Sequence, residues 1–407
     1  MNNKIKLAVA GAVLASASVA NAGITWDAGE WTVDMNGNVN AFAIVADNKD
    51  TAQAQGAMTN TESNDSTATS INTGLLPSWL GFTATTRQND IDTSVTISFQ
   101  PGAGNTQALK GGNSNNADTE NRQAFLTFGD KSWGSVKVGK DLGIFGSTAI
   151  LNDMTLLGVG GGAGGGGGNT TLGGIGTGYL YADWIGQIAY TTPNMNGFQA
   201  TLGLMQPWTA NNTLGGAVSD TSVGTSDEFG YQGQASYSWT GDFAGKVWGG
   251  FFMQDVKNVG GTAAGDGLGS DHNSKAYEAG ISTSLMNIGL VAYAYSGEGV
   301  GTTILLGDAF DTAGNARDSD GGYVQATYVI PTGTKLGVSY GISNLDNTAT
   351  DGASTLVEEN ERYTIGAYHP LTKHLNLVAE YNNMESKSHA GLTNESDSIS
   401  LGAILFF

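Results

Sequence analysis
The chain is 407 residues long, carries 37 acidic against 17 basic side chains for a formal charge of −20, and contains no cysteine. Such acidity argues against nucleic acid as a partner, since phosphate binding needs clustered Lys and Arg. Without a disulfide, an exported chain of this length must be held by its hydrogen-bonded framework, which a closed β-barrel can do because it leaves no open edge.

Residues 1–22 read as a secretory signal peptide. Lys4 and Lys6, an apolar run over 5–14, and Ala20 and Ala22 bracketing Asn21 supply the basic, greasy and small-residue regions that export requires. A single barrel domain would then span 23–407. No later stretch offers the roughly 18 consecutive apolar residues of a membrane helix. From Trp31 onward the chain instead alternates, with Val33, Met35, Val39, Ala41, Ala43 and Val45 facing one way and Asp34, Asn36, Asn38 and Asn40 the other. The pattern returns at 80–85, 95–100, 198–204, 231–238, 335–342 and 375–382.

A soluble sandwich alternates equally well, so the connections decide. Seven short turns fall at 88–90, 130–133, 193–196, 240–245, 286–287, 331–333 and 371–373. Eight long polar segments fall at 47–70, 101–120, 142–183, 207–228, 258–274, 299–320, 345–360 and 386–395. Seven and eight connections make sixteen strands, and short turns at one end with long loops at the other are the mark of a bacterial outer-membrane barrel. The expected fold is all-β: a 16-stranded antiparallel transmembrane β-barrel wide enough for an aqueous lumen.

Segment 142–183 abandons the alternation. A loop of that length in an ordered chain is usually functional or disordered. Here Ile150, Leu151, Met154, Leu156 and Leu157 give it an apolar patch, and the glycine run 160–168 lets it fold tightly. We expect it to fold into the lumen as a constriction. In the last strand Ile399, Leu401, Ala403, Leu405 and Phe407 should face lipid, and Tyr190, Tyr237, Trp239, Tyr340, Tyr363 and Tyr381 lie where aromatic girdles belong.

Several segments, taken in order, resemble the general trimeric porins of Gram-negative bacteria. They are Asn121-Arg122-Gln123-Ala124-Phe125, then Gly134-Ser135-Val136-Lys137-Val138-Gly139-Lys140, then the long loop with Asn152-Asp153-Met154, then Ile188-Ala189-Tyr190 with Pro193 and Gly197-Phe198, and the terminal Phe407. The resemblance implies a homotrimer of sixteen-stranded barrels in the outer membrane, each with its third outer loop folded inward. It also implies that acidic loop residues, matched here by Asp153 and Asp141, face a basic wall residue, matched by Arg122.

From the residues themselves, Arg87, Lys137 and Lys335 share strand faces with polar neighbours and should point inward with Asp34, Glu278 and Glu380. Arg122 shares its face with Ala124, Leu126 and Phe128 and enters through the resemblance alone. The expected constriction set is Asp153, Asp141, Arg122, Arg87, Lys137, Lys140 and Asp34. Acid in the outer loops, at Asp308, Asp311, Asp318, Asp320, Glu358, Glu359 and Glu361, should concentrate cations at the mouth and offers weak sites for divalent cations.

The four histidines show no metal-ligand spacing, and the glycine run lacks the Lys-Ser/Thr of a phosphate loop. The expected function is a passive, cation-preferring diffusion channel for small hydrophilic solutes and ions. It needs no cofactor and sits among outer-membrane lipid and lipopolysaccharide. A substrate-specific channel would show a ladder of aromatics, hinted at by Trp79, Trp248 and Phe252. A structural or adhesive barrel would conduct nothing.

Overall fold
The computed structural model describes residues 23–49, 54–59, 66–104, 119–162, 170–210, 226–259, 269–311, 313–352 and 354–407. The expected signal peptide, 1–22, and most of the glycine run, 163–169, lie outside the described residues. The strands are β1 (Ile24–Ala28), β2 (Trp31–Lys49), β3 (Ser66–Asn72), β4 (Trp79–Gln88), β5 (Ile91–Pro101) and β6 (Thr119–Asp130). Then come β7 (Gly134–Leu142), β8 (Trp184–Thr191), β9 (Phe198–Met205), β10 (Gly230–Trp239), β11 (Phe243–Val259) and β12 (Ser270–Leu285). The last are β13 (Ile288–Glu298), β14 (Asp318–Val329), β15 (Lys335–Leu345), β16 (Val357–Pro370), β17 (Leu375–Ser388) and β18 (Thr393–Phe406).

All are antiparallel to their neighbours, and the sheet closes where β9 meets β10 and β18 meets β2. Two staves are broken. Along one edge of β2, residues Thr32 to Asn38 pair with β4 and Phe42 to Asn48 with β3. Along the other, β18 pairs with Asn38 to Lys49 and β1 continues it over Trp31 to Met35. Eighteen segments therefore make sixteen staves (18 − 2), as the count of short and long connections predicts. The ends of the chain meet at this seam, where Gly37 and Phe407 exchange backbone hydrogen bonds of 2.9 and 3.0 Å.

The period-2 pattern does what it should. On β2, Asn38, Asn40, Phe42, Ile44 and Ala46 are buried inside, and Val39 on the opposite face is 60 % exposed. Ile71, Leu202, Val338, Ile365 and Leu401 are likewise exposed on the outside. In water such a band would be an aggregation surface; in a bilayer it is the lipid-facing belt. Tyr190, Tyr237, Tyr363 and Tyr381 are also exposed on it.

Two loop expectations are corrected. Segment 386–395 is no long loop: β17 and β18 form one extended hairpin turning at 389–392, closed by Ser388 N donating to Leu392 O at 2.9 Å. And Asp318, Asp320, Glu359 and Glu361 belong to strands rather than loops, sharing the outward faces of β14 and β16 with Val324 and Ile365. Charged residues occupy both faces of a strand once it rises above the hydrocarbon, so the alternation that marks a strand is lost there.

The constriction loop and its wall
Segment 143–183 leaves β7 and crosses the lumen. Its ends are tied by Gly143 N donating to Asp183 O at 2.8 Å. Its described residues contain one short helix, α1 (Ser147–Asn152), and a 3-10 turn (Met154–Leu157) begun by the Asp153 carboxylate, which accepts from Thr155 N at 2.9 Å. Its apolar side, with Phe145, Ala149, Ile150 and Leu180 buried, packs on Met205, Trp248, Phe252 and Tyr323 of the wall. Phe145 and Tyr179 meet Phe252 and Tyr323 with ring centroids 6.4 and 5.7 Å apart. Trp248 and Phe252 therefore hold the loop instead of forming a ladder along open lumen.

Polar wall residues then satisfy the backbone that the loop buries, as any non-repetitive segment inside a barrel requires. Gln232 Oε1 accepts from Ile144 N and Phe145 N at 2.7 and 3.0 Å, and Gln325 Oε1 accepts from Met154 N at 2.7 Å. Glu278 accepts from Gly146 N, the Tyr293 hydroxyl and Gln234 at 2.9, 2.9 and 3.1 Å. Glu380 accepts from Val159 N, Gly160 N and the Tyr368 hydroxyl at 2.8, 2.8 and 2.7 Å. Gly158 lies so close beneath Glu380 that a Cβ there would sit 2.0 Å from Oε1. Both glutamates point inward as their strand faces predict.

Asp153 is the loop's own charged anchor. Its Oδ2 accepts from the Tyr179 hydroxyl at 2.8 Å and stands 3.8 Å from the Arg362 guanidinium, both side chains being 1 % exposed. Arg362 also donates to Thr177 Oγ1 at 3.2 Å and to Thr364. The pairing of Asp153 with Arg122 is thus corrected: the cation opposite it is Arg362 on β16, which sequence reasoning missed. Arg122 instead pairs with Glu120 at 2.7 Å. A bulge between Ser98 and Gln100 gives β6 one extra residue, so Arg122 leaves the apolar face of Leu126 and lines the lumen.

The other expected constriction residues separate into two groups. Asp141 and Lys137 pair on the inner face of β7, and Gln123 donates to Asp141 at 3.0 Å. Lys140 reaches the Asn121 carbonyl at 2.9 Å beside Arg122. Arg87 and Asp34 do not belong to the throat. Arg87 sits at the Asn89–Asp90 turn, bound to Asp92 and Asp130 at 2.8 Å each. Asp34 accepts from Asn36 near the start of β1. Between the loop and β6 to β8 remains a cavity of ≈ 510 Å³.

Two further loops descend onto this one. In segment 54–59, Ala54 and Met58 donate backbone N–H to Asn394 and Asn360 at 3.2 and 3.1 Å. In segment 299–317, Thr303 O accepts from Tyr181 N at 2.8 Å, while Val300, Leu305, Leu306 and Phe310 are buried. The signal was legible: the run 302–310, TTILLGDAF, is too apolar for a water-washed loop. Asp311 is spent on this packing, accepting from Ala313 N, Asn315 and the Thr348 and Thr350 hydroxyls. Among the described residues no group of three or more acidic or histidine side chains is placed to hold a metal ion.

Burial pushes the Asp308 carboxyl up to about 6, against the pull of Arg317. With the folded value above the ordinary one, the stability of this packing is complete below about pH 4 and declines as pH rises through 6. For Asp311 and Asp351, burial is outweighed by hydrogen bonds, from Thr348 and Arg317 respectively, and both carboxyls are held low, so they weaken the loop only under stronger acid. Amide exchange over 300–311, corrected for intrinsic rate, should therefore be slower at pH 5 than at pH 7.5. Asp308→Asn should flatten that difference, and equal protection at both pH values in the unaltered protein would count against it.

A model of the Gram-negative porin family matches residues 8–389. The chain belongs to the Gram-negative porin family. Solved outer-membrane proteins share its fold at low identity. The outer-membrane channel DcaP of Acinetobacter baumannii is 16 % identical over 95 % of this chain and 99 % of its own, with a TM-score of 0.68. The anion-selective porin of Comamonas acidovorans is 15 % identical over 93 % of this chain and all (100 %) of its own, at 0.60. OmpT of Vibrio cholerae in its trimer form is 15 % identical over 93 % and 99 %, at 0.54. No curated protein sequence matches the chain. This porin is thus an outer-membrane diffusion channel of bacteria. The short turns of bacterial outer-membrane barrels face the periplasm, and Arg87 sits beside one of this chain's short turns, at Asn89–Asp90.

Proposed function
We propose that this porin passes small hydrophilic solutes and ions passively, with a modest preference for cations set by its summed field and not by a ring of bare acid in the throat. The observation that carries this reading is the matching of charge inside the barrel. Asp153 faces Arg362, Asp141 faces Lys137, Glu120 faces Arg122, and Glu278 and Glu380 are each enclosed by three hydrogen-bond donors. The formal charge of −20 resides largely elsewhere, much of it on the outer loops and on outward strand faces above the apolar belt. It biases the mouth toward cations over about a Debye length. The anion-selective Comamonas porin means that the fold alone does not set the sign.

That outward rim pairs Lys387 with Glu359 and Glu385, Lys275 with Glu298, and Lys49 with Glu395 and Asp397. It suits the polar layer of lipopolysaccharide. A homotrimer, the form known for the Vibrio neighbour, suits the wide apolar faces. A second reading, a channel for particular substrates, is favoured by the descent of segments 54–59 and 299–317 onto the constriction loop, which leaves less open lumen than one loop would.

The zero-current potential across a planar bilayer under a potassium chloride gradient tests the selectivity. The reading expects a small cation-selective potential, little altered when Asp153→Asn and Arg362→Leu are made together, because that change removes a matched pair. An anion-selective potential would overturn it.

A further inference from the structure
Resting on the channel reading above, we infer that the cavity between the constriction loop and β6 to β8 is a binding step for zwitterionic solutes with an apolar body, such as amino acids or dipeptides bearing branched aliphatic side chains. Its two sides differ in chemistry. The loop side presents Leu151, Leu156, Leu172 and Ile175, backed by Leu75, and three of these are only half-buried. A channel for water and simple ions gains nothing from a greasy flank, whereas an apolar body would cover it.

The wall side carries both signs of charge. Lys140 touches a backbone carbonyl and has no carboxylate within 4.0 Å among the described residues. Asp183 accepts from the backbone N–H of Trp184 at 2.7 Å and has no cationic partner within that range. Arg122, which lines the cavity, engages Glu120 through Nε. Glu120 and Asp183 balance Arg122 and Lys140, so a solute of one sign would be drawn by half the site and repelled by the other half. A solute carrying a carboxylate for Lys140 and an ammonium for Asp183 meets both, with charge-assisted hydrogen bonds at each end. The volume, ≈ 510 Å³, lies within the usual range for small-molecule sites of about 300–1,000 Å³.

The test is block of potassium chloride current through the reconstituted full-length protein at pH 7. Leucyl-leucine should reach half-block at a concentration about tenfold lower than glycyl-glycine, hexanoate or hexylamine, a difference of one modest contact. Lys140→Gln and Asp183→Asn should each raise the leucyl-leucine value by about tenfold. Asparagine tolerates the left-handed backbone found at Asp183, φ 56°, so the second change should leave the loop's base intact. Asp320→Asn, on the outer face, should not shift it. Equal block by glycyl-glycine, or by hexanoate alone, or indifference to both cavity variants would overturn the inference while leaving the channel reading in place. Absence of any potassium chloride current would overturn both.

Discussion
Gly402→Val should leave most of the chain unable to close its barrel. Gly402 lies on β18 opposite Phe42 of β2, and a Cβ there would sit 2.3 Å from the Ala41 carbonyl oxygen and 2.5 Å from the Phe42 ring. The first obstacle is backbone, which cannot turn aside as a side chain can, so the cost should be roughly 3 kcal/mol or more. The position multiplies the effect. The β2–β18 seam joins opposite ends of the sequence, is the last pairing that loop closure can reward, and is what removes the open edges. On a cold detergent gel the compact, heat-modifiable band should fall to a small fraction of that of the unaltered protein. Gly402→Ala should show the same defect in milder form. Wild-type yield of the compact band from Gly402→Val would show that the seam has slack that these distances deny.

Much of this architecture was legible because lipid and water impose opposite demands on alternate residues. Val39, Val338 and Leu401 could face only hydrocarbon, and the asymmetry of the connections then counted the strands, although β3 with Ile71 went unforeseen at the end of the segment read as loop 47–70. Legibility ended where that contrast ended. Glu359, Glu361, Glu385 and Asp397 extend their strands above the membrane, where both faces are polar and the period disappears. For the site, loss of alternation over 142–183 identified the loop, and strand parity aimed Glu278 and Glu380 inward. The partner of Asp153 was not legible, because nothing local distinguishes Arg362 from other inward residues of β16 and only the path of the loop brings the two together. Nor could the one-residue bulge opposite Ser98 and Gln100, which redirects Arg122, be read from composition.

The second large effect bears on the central claim, that a loop locked across an open barrel sets the width of a diffusion channel. Replacing Arg362 by leucine removes the cation from beside Asp153 while both positions remain enclosed. An uncompensated buried carboxylate costs about 3–5 kcal/mol, against about 0.5–1.5 kcal/mol net for each hydrogen bond that holds the loop beside it. The loop should therefore leave its seat around Asp153 and Tyr179, while the barrel, whose ladder does not depend on that pair, stays closed. Asp153→Asn in the same chain removes the orphaned charge and should restore much of the packing. The measurement is single-channel conductance in 1 M potassium chloride for the unaltered protein, Arg362→Leu, and the double variant. The account predicts discrete ohmic steps from the unaltered protein, steps about twofold larger or more and noisier from Arg362→Leu, and a return toward the original step in the double variant. No steps from folded, unaltered protein, or identical steps from all three, would contradict it.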